Sequence, residues 1–180
     1  MKRPLLALAA ALALGCNSPA TGLYVVMDVS PFFMNTPTRL SLHRVQLQVF
    51  DNGGALRNTV DFEQPVFPMS FSVRPNNLNG TYRLELTGYT NGQPAERLFV
   101  VRRLVTMKEG EVRAISIPVR GHCLGSGVTR CTMPNETCLA QQNLCASSTQ
   151  PTIAWREGLD APCSMGELRD EAFNCTRLPP

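Results

Sequence analysis

Histidine, lysine and the largest aromatics are scarce in this 180-residue chain, which has two His, one Trp and three Tyr, with lysine only at positions 2 and 108. His43 and His122 stand apart in sequence, and no serine or cysteine nucleophile arrangement is recognisable around His43. A general base needs a positioned partner and a third orienting group, so His43 reads as an incidental strand histidine. No Gly-rich phosphate loop, nucleotide fingerprint or metal-ligand motif occurs, so neither a cofactor nor a metal is expected. Without Lys2 and Arg3 the chain has 15 basic residues against 14 acidic. That balance, with no clustered basic face, excludes a nucleic-acid footprint. Beyond the first fifteen residues no apolar run approaches the roughly 20 residues that span a bilayer as a helix.

The start of the chain is different in kind. Lys2 and Arg3 form a positive n-region, and Leu5 to Leu14 contains only Leu and Ala before the small Gly15. This has the layout of an export signal over residues 1–15. The stretch Ala13-Leu14-Gly15-Cys16 resembles the lipobox of bacterial lipoproteins, although that family most often has Leu where this chain has Ala13. The resemblance implies cleavage before Cys16, a thioether from its sulfur to diacylglycerol, and acylation of the new amino group. Two or three acyl chains suffice for stable anchoring. Residues 16–22 then read as a lipidated tether. Asn17, in place of an Asp after the cysteine, favours the outer over the inner membrane.

Between Cys16 and Cys123 there is no cysteine, and six follow: Cys123, Cys131, Cys138, Cys145, Cys163 and Cys175. Setting Cys16 aside turns an odd seven into an even six, as an exported disulfide framework requires. Zinc is the rival for such a set, with His122 beside Cys123. Structural zinc sites favour ligand pairs two to four residues apart, and none occur here.

Residues 23–119 read as a β-sandwich of about seven antiparallel strands, from short apolar alternations divided by turn residues every 8 to 12 positions. Leu23, Val25, Met27 and Val29 share one face. A change of parity between Leu40/Leu42 and Val45/Leu47/Val49 places a bulge near His43 and Arg44. Asp51 to Gly54, Asn91-Gly92 and Glu109-Gly110 predict three hairpins. Phe67, Met69, Phe71 and Val73 alternate with polar residues or proline, and Tyr82, Leu84 and Leu86 do the same. Arg102 and Arg103 are predicted to face opposite sides of a strand, one of them at its end. The segment Leu78 to Leu84 resembles the approach to the sixth strand of immunoglobulin-like and fibronectin type III-like sandwiches. There a tyrosine bonds back to upstream backbone, so Tyr82 is either such a corner or a ring packed in its strand.

Residues 120–180 form the cysteine-rich C-terminal region, too poor in apolar residues to bury a core without cross-links. Trp155 lies in a linker and is predicted to cover part of the neighbouring core. Ser164-x-x-Glu167 has the capping-box pattern, with Leu168, Ala172 and Phe173 on one stripe, which predicts a short helix. A helix would hold Cys163 and Cys175 some 18 Å apart at about 1.5 Å per residue, preventing their pairing. The carboxylates of Glu109 and Glu111 flank a tight turn and read as solvated. Together these features describe a lipid-anchored envelope protein without catalytic residues. It would be held to the membrane through its lipid and present a sandwich to a protein or glycan partner. The alternative is a lipid-anchored enzyme or thiol-active protein using His43, His122 or the cysteines.

Overall fold

A computed structural model describes residues 21–29, 42–74, 79–92, 95–119, 131, 136–139, 144–149, 152–164 and 167–177. The described chain is all-β. Seven strands build the body: β1 (Gly22–Val29), β2 (Leu42–Phe50), β3 (Leu56–Glu63), β4 (Met69–Val73), β5 (Gly80–Thr90), β6 (Arg97–Met107) and β7 (Val112–Val119). Five short strands follow: β8 (Glu136–Leu139), β9 (Leu144–Ser147), β10 (Ile153–Ala154), β11 (Glu167–Arg169) and β12 (Cys175–Arg177). One sheet has the order β10-β7-β1-β4 and the other β3-β2-β5-β6, with β8-β9 and β11-β12 as separate hairpins.

The core lies where the alternation places it. Leu23, Val25 and Met27 of β1 meet Val45 and Leu47 of β2, Leu84 and Leu86 of β5, and Ile115 and Ile117 of β7 in one buried cluster. Period-two alternation sends these residues to one face of each strand, and burying two such faces against each other makes the sandwich. The parity change in β2 is real: its register with β5 shifts between Leu42 and Arg44. Asp51 closes the β2–β3 turn by accepting from the Gly54 and Ala55 amides, and Gly54 adopts a left-handed φ of 80°. Gly88 serves a different need, because a Cβ there would come within 2.6 Å of Phe99 Cζ and 2.8 Å of Leu42 Cδ1.

Two connections differ from the sequence reading. Gly110 supplies the expected turn, with φ of 79°, but β6 and β7 lie in different sheets, so the turn crosses the sandwich instead of closing a hairpin. As a result β7 runs parallel to β1, from Gly22 opposite Val112 to Val29 opposite Val119. The physical reason is burial on both faces: Val25 to Val29 and Ala114 to Val119 are all buried. Strands of that kind belong in the middle of a covered sheet, where parallel pairing is common.

The cover is the C-terminal region. Val26 and Ala114 on the outer face pack with Leu159 and Phe173, supported by Tyr24 and Ile153. β10 extends the sheet by pairing with β7, and Asp28 accepts the Arg169 amide at 3.4 Å. The predicted helix is absent from the described residues, and β11 and β12 form a hairpin in its place. The capping-box contact does form, with the Ser164 amide donating to Glu167 Oε2 at 3.3 Å, but it closes a turn that enters a strand. Asp170 then accepts from the Ala172 and Asn174 amides, and Phe173 takes a left-handed φ of 68°, which reverses the chain within five residues. That reversal brings the Cα atoms of Cys163 and Cys175 to 5.5 Å, and the two are disulfide-bonded, contrary to the expectation from a helix.

Replacing Gly88 with Ala forces a methyl group into the Phe99 ring and is expected to cost about 1–3 kcal/mol, read as a lower urea midpoint with unchanged slope. Non-reducing peptide mapping should recover Cys131–Cys145 and Cys163–Cys175 as linked pairs. The Cys163→Ser/Cys175→Ser double variant should lose roughly 3 kcal/mol for a loop of this size. Recovery of Cys163 linked to any other cysteine would contradict the hairpin.

Candidate functional site: a cleft between two open strand edges

Each sheet has two edges, and the chain treats the two sides of the sandwich differently. On one side, residues that follow β7 close the sandwich. The β8–β9 hairpin, joined to Cys131 by the Cys131–Cys145 disulfide, lies against β6. The Leu104 amide donates to Ser148 O at 2.9 Å, and β10 lies along β7. On the other side, β3 and β4 are the terminal strands of their sheets, and among the described residues no strand pairs with their outer edges.

Between those two edges the sheets part to leave a cleft of about 710 Å³. Its apolar wall comes from the inward parity of three strands: Val49 of β2, Val60 and Phe62 of β3, and Phe71 and Val73 of β4. Phe62 and Phe71 pack against each other in its wall with ring centroids 5.2 Å apart. The volume falls within the range of small-ligand and peptide-anchor pockets. Tyr82, the third residue of β5, buries its ring in the same wall. The sequence marked Tyr82 as structural, and its ring is part of the packing.

Polar groups gather at the end of the cleft near the start of β1, where Asp51, Arg57 and Arg74 line it. Arg57 Nε donates to Asp51 Oδ2 at 2.8 Å, and its Nη2 donates to the same oxygen. The Ala55 amide first, and the Arg57 guanidinium second, hold the Asp51 carboxyl below its ordinary value. β3 itself is solvent-facing along nearly its whole length, with Leu56 51% and Val60 37% exposed. Natural edges are commonly protected by Pro, Lys or a covering loop. The eight residues of β3 contain neither Pro nor Lys.

The residues singled out in the sequence are dispersed. His43 sits at the far end of β2 with Nε2 3.7 Å from Glu63, an exposed contact. The Glu109 amide donates to Asn79 Oδ1 at 3.0 Å, and Glu111 lies 3.7 Å from Arg113, so the two glutamates occupy separate surface contacts. Arg102 and Arg103 do face opposite sides, but both lie inside β6, not at its end. Arg102 Nε donates to Glu85 Oε2 at 2.6 Å and its Nη1 to Cys131 O at 2.8 Å. Arg103 is 3% exposed, and its Nη1 donates to Arg102 O and to Thr137 Oγ1, each at 2.9 Å. Burial pulls its pKa down to about 10, partly offset by the charge of Glu171. Cys16, His122 and Cys123 lie outside the described residues, as does the side chain of Cys138. No group of three or more His, Cys, Asp or Glu gathers as a metal site among the described residues. Sequence reasoning missed the cleft because its walls come from both sheets. The one local signal was the mixed, weakly apolar face of β3.

Comparison with family models, with curated proteins and with solved structures gives no match for this chain.

Trp155 only partly meets its expectation as a cover: it is 47% exposed and packs edge-on against Tyr24, ring centroids 6.3 Å apart. The Tyr24 hydroxyl donates to Asp160 Oδ2 at 2.7 Å, and Ser70 Oγ donates to the same oxygen at 3.2 Å. Burial first, together with the Asp160 carboxylate, raises the Tyr24 phenol above its ordinary 10.0. A raised folded pKa means that this contribution to docking is intact below pH 10 and is lost as pH rises through the folded value. Fluorescence of the single tryptophan should therefore report an alkaline transition above pH 10 that disappears in Tyr24→Phe. Persistence of the transition in that variant would remove Tyr24 as its cause.

Proposed function

We propose that this protein is a lipid-anchored module of the bacterial cell envelope, held through Cys16, that binds a partner in the cleft between β3 and β4. The observation that carries the reading is the position of that cleft relative to the tether. β1 begins at Gly22 beside the end of β4, where Leu23 pairs with Val73 of the cleft wall. Five residues, Asn17 to Thr21, separate the lipidation site from β1, and the span from Cys16 to Gly22 reaches at most about 20 Å. A diacylated Cys16 would hold the polar end of the cleft close to the headgroups, with β3 and β4 standing away from the surface. The export signal and the disulfides among the later cysteines fit the same compartment. Asn17, in place of an Asp after the cysteine, favours the outer over the inner membrane. The sandwich is read as immunoglobulin-like or fibronectin type III-like and non-enzymatic, with a stapled C-terminal region that stiffens the wall opposite the cleft.

Intact mass of the protein purified from bacterial membranes should show cleavage before Cys16 and the added mass of a diacylglyceryl group with or without an N-acyl chain. Cys16→Ser should move the protein from the detergent phase to the aqueous phase in a Triton X-114 partition. A mature N-terminus elsewhere, or an unmodified Cys16, would end this reading.

A further inference from the structure

Three features of the cleft side belong together. β3 offers eight residues of edge backbone to which nothing described is paired, while the edges of β6 and β7 are covered by the C-terminal region. The inward residues of β3, Asn58, Val60 and Phe62, line the cleft beneath that edge. The cleft wall mixes apolar surface with Asn58, Ser72, Asp51 and Arg57, so an occupant made only of methylene groups would leave hydrogen-bonding groups unanswered. We infer that β3 is a strand-addition site, at which an extended segment of a partner protein hydrogen-bonds along residues 56–63 and directs every second side chain into the cleft.

Period-two geometry then specifies the segment. Side chains on the cleft side lie beside Val60 and above Phe62 and Phe71, and are apolar. Those on the other side lie beside Thr59, Asp61 and Glu63. Arg57 is already engaged by Asp51; Asp61 accepts from Gln46 Nε2 at 3.1 Å and lies 3.5 Å from the Arg44 guanidinium through the same oxygen, Oδ1, and the exposed Glu63 lies 3.7 Å from His43. The outer row next to the far half of β3 is therefore acidic, and the matching positions of the partner are Lys or Arg.

A second copy of this chain meets some of these requirements but fails on orientation, a point that rests on the anchoring proposed above. Antiparallel pairing of β3 with itself inverts one copy. The eleven residues of β5 set the distance between the two ends of that sheet at about 36 Å. A tether reaching at most about 20 Å cannot return the inverted copy to the same membrane. Parallel in-register pairing sets Asp61 against Asp61 and Glu63 against Glu63, which repel.

The test uses the full-length protein purified from bacterial membranes, its lipidation read by intact mass on the same preparation. The probe is a synthetic eight-residue peptide alternating Val with Lys or Thr, and a second version carries N-methyl groups on alternate backbone amides. Hydrogen exchange should slow at least tenfold across residues 56–63 on addition of the peptide, and fluorescence anisotropy should give saturable binding. N-methylation should weaken binding at least tenfold, because it removes main-chain donors and leaves the side chains. Val60→Lys puts a charge on the cleft side of the edge, at a position exposed enough to leave folding intact by thermal melt, and should also weaken binding at least tenfold. No protection of β3 at saturating peptide, or binding indifferent to N-methylation, overturns the strand site. Displacement of the peptide by palmitate at equal affinity would show an acyl site in its place. Protection of β3 that grows with protein concentration alone would show self-association. A lipidated protein that does not bind fails this inference only. An unlipidated one that does bind fails the anchoring proposal and with it the exclusion of a second copy.

Discussion

The structure depends on the two-sided burial of β1 and β7. A strand that alternates apolar and polar residues can sit in a sheet with one wet face, but β1 and β7 bury both faces, from Val25 to Val29 and from Ala114 to Val119, with Asp28 the one charged side chain among them. Their inward residues build the sandwich core. Their outward residues, Val26 and Ala114 among them, need a further layer, and Leu159, Phe173 and Ile153 provide it. The C-terminal region is thereby the third layer of the protein, not an appendage. Few apolar residues make that contact, so the layer must be ordered in advance. The Cys163–Cys175 bond and the turn organised by Asp170 hold Phe173 in place before it is buried, which lowers the entropy cost of docking.

One consequence concerns the edges. An unpaired strand edge is a standing invitation to other strands. Among the described residues, those after β7 cover β6 and β7, which lie next to the point where the chain leaves the sandwich; they reach β4 through the Asp160 contact with Ser70, but none pairs as a strand with the outer edge of β3 or β4. The asymmetry follows from connectivity: the last body strand is β7, so whatever comes next covers β7 first. What remains is a sandwich stiffened on one flank and open on the other, with the opening at the end of the molecule where β1 begins. On the proposed anchoring through Cys16, a reach of at most about 20 Å would leave β3 standing away from the bilayer.

Much of this was legible in the residues. The seven body strands, the change of parity near His43 and the turn at Asp51 to Gly54 are local features, set by alternation and by residues that tolerate positive φ, and they appear where those signals stand. The turn at Gly110 was legible too, but its role was not. A Glu-Gly turn does not say whether the next strand returns beside the last or crosses to the other sheet. The deciding information was in β7, where Ala114, Ser116 and Pro118 are small or apolar enough to be buried opposite Ile115 and Ile117. Residues 163–175 show a different limit. Leu168, Ala172 and Phe173 fit a helical stripe, but at three residues the fit is weak, and Asp170 with a left-handed Phe173 makes a reversal in the same span. A capping box is satisfied equally by a turn, so it could not decide between them. Beyond the mixed face of β3 the cleft was not legible, since Val60 and Phe71 line it together only because the sheets stack.

The polar groups at the seam between body and C-terminal region show why that layer docks in one register. Asp28 is buried on β1, and burial raises its pKa, while the amides of Arg169 and Val29 and then the Arg169 charge pull it back. Undocked, Asp28 would be solvated and Arg169 free; docked, each makes the other tolerable. Such an arrangement adds little net stability, because desolvating both groups costs about what their attraction returns. It does penalise a misplaced layer, in which a buried carboxylate would face an apolar side chain with no donor. Arg103 has the same part on the other flank, where its guanidinium reaches Thr137 and Arg102 O and marks where β8 lies against β6. Apolar contacts such as Phe173 on Val26 supply the attraction, which is tolerant of small slips. The buried Asp28 and Arg103 are not tolerant, and they fix the position of both covers, so that one flank is closed while the outer edges of β3 and β4 stay unpaired among the described residues.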